Sequence, residues 1–291
     1  ADVELANITF GELFGQPISL TVGRQNLGYG DGFLVWDGVS DEKTVWTASF
    51  RSFYAAKGVY ASGPFTTEVF AAMADEDYIS YETFLVDAVG YVDDRYLYGG
   101  NVHYGNDENR TGDFGVFFKN DRSLLKSDTL AISQRGFWTF DPWTGSTALP
   151  DIILSGEAVE EFGSTMAQNH ALATTEQDRR SFGGHLDLAA SFKDIQYSPY
   201  IKGSYIYFPG DNPDTTRNEA FDPMFYGSED WGKWGIGDIG SFSLFNTNER
   251  AIAAEIGFNP TETVTLRVQY YFITLDRSIS DAGEDWAHEV N

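Results

Sequence analysis

A cation at a strand-interior position constrains this chain more than any other feature. In Pro199-Tyr200-Ile201-Lys202-Gly203-Ser204-Tyr205-Ile206-Tyr207, Lys202 occupies one face of an alternating run. A globular core would place an apolar side chain there. Arg24, Arg51, Arg95, Lys119, Arg135, Lys202, Arg250 and Arg267 all fall in or beside such runs, while the acids of this net −25 chain crowd the segments between them. A soluble sandwich buries its apolar face, whereas a membrane barrel turns apolar residues out to lipid and polar ones in to a wet lumen. The pattern predicts an all-β fold: an antiparallel transmembrane β-barrel.

Alternation is clearest in Val264-Thr265-Leu266-Arg267-Val268-Gln269-Tyr270-Tyr271-Phe272. A strand sends successive side chains to opposite faces, so Val264, Leu266, Val268, Tyr270 and Phe272 share one side. Thr265, Arg267, Gln269 and Tyr271 share the other. An arginine facing the bilayer midplane costs about 2–4 kcal/mol, which assigns Arg267 to water or to a buried partner. Residues 18–23, 152–158 and 181–192 split in the same way. Further strands are predicted at 3–13, 45–62, 65–74, 94–104, 113–119, 128–140 and 248–258, about a dozen in all, each near the ~9–11 residues that a tilted membrane strand needs.

The connectors differ in length. Phe258-Asn259-Pro260-Thr261-Glu262 reads as a short turn, while 25–44, 75–93, 141–151, 163–179 and above all 208–246 read as long loops. Short turns on one rim and long loops on the other is the arrangement of outer-membrane barrels, and compact soluble domains seldom carry several structureless loops of this length. The loop 208–246 is expected to fold inward as a constriction or lid. The expectation is one barrel domain over 1–291 that lacks strands at both ends, since the chain opens at Ala1-Asp2-Val3-Glu4 and stops at His288-Glu289-Val290-Asn291, in what reads as a further strand.

Composition removes several function classes. Nucleic acid demands a basic face, which a net charge of −25 does not supply. With Cys 0 there is no thiolate catalysis, thiolate metal site or disulfide. No apolar run reaches the ~18 residues of a membrane helix. His103, His170, His185 and His288 lie far apart with no pair at ligand spacing, so no metal site is expected. Ser164, Ser181 and Ser191 lack a nucleophile-elbow context, and the many carboxylates single out no acid–base pair. Neither an enzyme nor a cofactor is expected. The acids Asp75, Glu76, Asp77, Asp211, Asp214, Glu229, Asp230, Asp281, Glu284 and Asp285 are read as a solvated anionic rim rather than a calcium site, because no segment has EF-hand spacing.

The strand cations carry the functional implication. Inside a barrel, Arg24, Arg51, Arg95, Arg135, Lys202, Arg250 and Arg267 would line a path and attract anionic solutes. The other reading pairs each with a lumenal acid such as Glu68, Glu157, Asp187 or Glu255. Aromatics bracketing the strands (Tyr96, Tyr98, Tyr104; Phe137, Trp138, Phe140; Tyr205, Tyr207, Phe208) suit girdles at two membrane interfaces or saccharide-stacking surfaces. Trp36, Trp143, Trp231 and Trp234 fall in loops and suit either use.

Several segments together resemble the alginate export family of Gram-negative outer-membrane porins. They are Leu20-Thr21-Val22-Gly23-Arg24-Gln25 leading into Tyr29-Gly30-Asp31-Gly32 and Trp36, and Arg51-Ser52-Phe53, where Tyr54-Ala55 stands in place of the family's Asp-Gly. Ser204-Tyr205 through Gly210-Asp211, then Ala220-Phe221-Asp222-Pro223-Met224-Phe225, and the late strand Leu266–Asp276 complete the set. The resemblance implies a monomeric barrel of the outer membrane, set among its lipid and lipopolysaccharide. Its arginine-rich lumen would pass anionic polysaccharide, with Arg24, Arg51 and Arg267 touching solute. The expected function is passive passage of anionic sugars or polysaccharide. The alternatives are a structural or interaction barrel with a plugged lumen, and a soluble carbohydrate-active all-β protein.

Overall fold

The computed structural model describes residues 5–35, 52–74, 95–107, 109–122, 127–143, 149–166, 175–225, 247–261, 263–277 and 285–290. The alternating runs form strands β1 (Ala6–Phe10), β2 (Ile18–Gln25), β3 (Phe53–Ser62), β4 (Phe65–Ala74), β5 (Arg95–Asp107), β6 (Arg110–Asp121) and β7 (Asp128–Phe140). They continue as β8 (Asp151–Met166), β9 (Glu176–Ser191), β10 (Tyr200–Phe208), β11 (Glu249–Thr261), β12 (Val264–Leu275) and β13 (Asp285–Val290). All thirteen join one sheet in chain order, and every neighbouring pair is antiparallel. The all-β, antiparallel expectation is met. β1 and β13 are the outer strands, and no pairing between them occurs among the described residues.

Antiparallel order sorts the connectors onto two rims. The C-terminal ends of β1, β3, β5, β7, β9 and β11 lie on one, where at most 10 residues separate consecutive strands, and those of β2, β4, β6, β8, β10 and β12 on the other, where the separation reaches 40 residues between Phe208 and Glu249. Two expectations need correction. The segment 141–151 follows the end of β7, which lies on the rim of short turns, and the supposed loop 163–179 is strand at both of its ends, because β8 runs to Met166 and β9 begins at Glu176. Polar residues at both strand ends hid the pairing there: Ser164 pairs with Asp178, and Met166 with Glu176.

One face of the sheet is apolar and bare. Val268, Ile256 and Leu186 are 60%, 65% and 57% exposed, with Val69, Leu188, Ile201 and Ile252 beside them in the same state. The opposite face buries Asn101, Lys119, Ser133, Glu157, Glu161, Asp187 and Gln269. Aromatics bracket the bare face at both ends. Tyr96 and Tyr98 stack near the long-loop rim, with ring centres 6.4 Å apart. Phe65 and Tyr104 lie 5.2 Å apart near the short-turn rim. The span from Tyr96 to Tyr104 is about 26 Å along the strand.

The sheet is strongly curled around its polar face. Phe225 meets Phe53 of β3 edge-on at 5.5 Å, and Phe221 meets Phe208 of β10 at 5.3 Å. In a flat sheet those two strands would stand about 34 Å apart, far beyond the reach of residues four apart in sequence. Two segments fill the concavity, 26–35 after β2 and 209–225 after β10. They are joined by a parallel bridge between Val35 and Phe225 and by the Phe225 amide donating to the Leu34 carbonyl at 2.9 Å. Leu27, Phe33, Leu34, Val35, Phe221 and Phe225 are buried there. Only the first part of the predicted inward loop 208–246 is described, and it does fold inward; 226–246 lies outside the described residues.

Candidate functional site

The inward segments are held by two acids, each set against cations of the strand wall. Asp31 follows Gly30, whose positive φ of 63° places it in the left-handed region. A β-carbon at Gly30 would collide with the Glu157 carboxylate, so the close turn requires glycine. There the Asp31 amide donates to Glu157 Oε2 at 3.0 Å. Its carboxylate accepts from Arg135 Nε at 2.7 Å and faces His185 Nε2 at 3.3 Å. Arg135 also reaches Asp113 at 3.2 Å. His185 Nδ1 lies 2.9 Å from Asp187, which in turn meets Lys202 Nζ at 3.3 Å and Ser204. Burial alone would raise the Asp31 pKa, but the hydrogen bonds from His185 and Arg135 outweigh it and hold the carboxyl well below the usual range.

Asp222 is the second anchor, in Phe221-Asp222-Pro223. Its carboxylate accepts from Lys119 Nζ at 2.6 Å, Thr129 Oγ1 at 2.6 Å and Ser127 Oγ at 3.2 Å, with Arg179 at 3.8 Å. Its amide donates to Glu161 Oε2 at 2.9 Å, and Glu161 is wholly buried. Burial opposes ionisation here too, and attraction by Lys119 and Arg179 wins, holding Asp222 well below the ordinary carboxylate range. Phe221 beside it sits against Gly183, where a β-carbon would strike its ring.

The predicted strand cations divide between the two faces. Arg95, Arg135, Lys202 and Arg267 share the inward positions, in register with buried Leu97, Ser133, Ser204 and Gln269 respectively. Arg95 lies 3.6 Å from Asp121. Arg24 and Arg250 instead share the outward positions of exposed Val22 and Ile252 near the long-loop rim. Each guanidinium lies over an aromatic ring, Arg24 over Tyr54 at 5.6 Å and Arg250 over Tyr207 at 5.8 Å. Arg250 also pairs with Asp276. Arg51 lies outside the described residues, as do Trp36, Trp231, Trp234, His170 and the loop acids Asp75, Glu76, Asp77, Glu229, Asp230, Asp281 and Glu284.

Of the wall acids named beforehand, Asp187 meets Lys202, and Glu68 faces Lys57 at 3.8 Å. Glu157 is held by Ser133 at 2.7 Å and by the Asp31 amide. Glu255 binds Tyr200 and Gln269. The two acids that organise the inward segments, Asp31 and Asp222, lie within the quoted motifs, but sequence alone assigns them no role. Asp31, Glu157 and His185 bring ligand atoms within 4.8 Å of one another, a grouping that sequence spacing concealed. The Arg135 guanidinium at 2.7 Å already supplies the positive charge that Asp31 faces, so the arrangement is an ion-pair network tying segment to wall. No protein-family model matches this chain, and no curated protein is similar to it at a significant level.

Proposed function

We propose that this chain is part of an outer-membrane β-barrel of a Gram-negative bacterium, closed around the two inward segments, that passes solutes passively and performs no catalysis. The single observation that carries the reading is the inversion of faces: bare Val, Leu and Ile outward, buried Lys, Glu, Asp and His inward. An apolar surface of this extent exceeds what water-exposed monomers leave uncovered, and it is what a lipid-facing wall requires. Long connectors on one rim and short turns on the other fit the same topology, and the motif resemblance to alginate export porins points the same way.

Anionic sugars or polysaccharide are the proposed cargo class, met by Arg95, Arg135, Lys202 and Arg267 on the inward face. These cations alternate with Asp113, Asp121, Glu157 and Asp187, so any preference for anions rests on cations not neutralised along the path. The test is the reversal potential of the reconstituted protein across a salt gradient, repeated with Lys202→Gln and Arg267→Gln. An anion preference that shrinks in the double variant supports the assignment; identical potentials overturn it.

A second reading, a barrel acting as a wall or scaffold, is favoured by the apolar packing of the inward segments. Phe33 stacks on Phe208 at 4.7 Å, and Tyr29 on Phe70 at 5.1 Å. A filled lumen of this kind either moves aside during passage or never opens. Conductance separates the two.

A further inference from the structure

His185 has a carboxylate at each ring nitrogen. Nδ1 lies 2.9 Å from Asp187 of its own strand, and Nε2 lies 3.3 Å from Asp31 of the inward segment 26–35. The imidazole is buried, with 1% of its side chain exposed, so water does not stand in for either partner. A carboxylate accepts and does not donate, and a neutral imidazole carries a single N–H. Satisfying both sides therefore requires the imidazolium. Phe33, from the same inward segment, sets its ring centre 5.7 Å from that of His185, within the range where an aromatic ring favours a cation.

Every element packed against His185 adds to this balance. Its register partner on β8 is Glu157, which brings a carboxylate oxygen within 4.8 Å of the Asp31 and His185 ligand atoms. Arg135 of β7 meets Asp31 at 2.7 Å and Asp113 of β6 at 3.2 Å, and Lys202 of β10 meets Asp187 at 3.3 Å. Removing the His185 proton leaves Asp31, Glu157 and Asp187 around a neutral ring, with Arg135 and Lys202 to offset them. The two flanking acids do not lose equally. Asp187 keeps Lys202, Ser204 and Ser155 and has the shorter contact, to Nδ1. The remaining N–H stays on that side, and the Nε2 lone pair then faces Asp31. Repulsion falls on the carboxylate of the inward segment rather than on the wall.

We propose that His185 is a proton-operated latch on the inward segment 26–35: as imidazolium it clamps Asp31 to the wall, and loss of its proton releases the segment. The latch concerns the segment itself and holds whether or not solute follows. Because the proton stabilises the closed arrangement, the clamp is complete below the ordinary imidazole value of about 6.5 and is lost as pH rises above it. The carboxylates Asp31 and Asp222 fail in the opposite direction, in acid. The segment is held most tightly between those two limits.

The test follows proteolysis within 26–35 of the folded full chain in detergent micelles, from about pH 6 to about pH 9, across the ordinary imidazole value. Each rate is divided by that of the free peptide 26–35 at the same pH. Wild type should be cleaved faster as pH rises, by up to about tenfold per pH unit, since each opening releases one proton. At neutral pH the ring-nitrogen NMR shifts of His185 should be those of an imidazolium. His103, 2.8 Å from Asp113, is the other histidine touching this network. His103→Gln should keep the alkaline rise, and His185→Gln should be cleaved fast at every pH. A flat wild-type rate, a neutral imidazole at neutral pH, or an alkaline rise retained in His185→Gln overturns the latch. The two wild-type readings decide the matter even where His185→Gln does not fold, and in micelles neither depends on solute passage.

Discussion

Asp222 concentrates more opposing charge than any other inward residue described. Lys119 is buried beside it and Arg179 nearly so, so Asp222→Asn leaves two cations without the carboxylate they face. Breaking a buried pair in this way costs about 3–5 kcal/mol. The expected outcome is faster proteolytic cleavage within 209–225 of the reconstituted protein, and an unchanged rate would show that the segment is held elsewhere. The pH dependence has a fixed sign. Because the folded pKa of Asp222 is depressed, its contribution is fully present above the ordinary carboxylate value near about 4 and is lost as acid approaches the folded value. Asp31 behaves in the same direction. Cleavage of the segment should therefore rise on acidification, with the acid response reduced in Asp222→Asn.

At the scale of a strand, the two faces make opposite predictions for one substitution. Val268 is 60% exposed at mid-strand in β12, and in a water-soluble protein Val268→Arg would change stability by no more than about 0.5 kcal/mol. Facing the bilayer midplane, the same change costs about 2–4 kcal/mol, measurable as a shift in the denaturant midpoint of folding into vesicles. A soluble-sized effect would contradict the lipid-facing assignment. Strands were the legible part of this sequence, because period two records which face meets which solvent. β4 and β7 have the bounds that alternation predicted, and Lys202 and Arg267 take the inward side it assigned. Charge misled for Arg24 and Arg250: period two puts Arg24 with Val22 and Arg250 with Ile252 on the bare face, whereas a cation in a strand was read as inward. The inward segments were less legible still. Leu27, Tyr29, Phe33, Leu34 and Val35 follow no period, and their burial is decided by the curled wall around them. Asp31 and Asp222 fall within the quoted Tyr29–Gly32 and Ala220–Phe225 motifs, but their role as anchors was hidden, because the cations that select them come from β6, β7 and β9.

The whole molecule as proposed is a lipid-facing wall around a concavity occupied by two mutually bridged segments. The bridge between Val35 and Phe225 makes them one unit, so releasing either anchor should loosen both. That unit decides between a conduit and a scaffold. The most direct measurement is single-channel current of the reconstituted chain in a planar bilayer, wild type beside the double variant Asp31→Asn/Asp222→Asn. Passage through the proposed lumen predicts sparse or small openings in wild type and sustained larger current in the variant, as the segments move aside. A variant that inserts, has its inward segments accessible to protease, and still passes no current would contradict passage of solute and leave a closed wall.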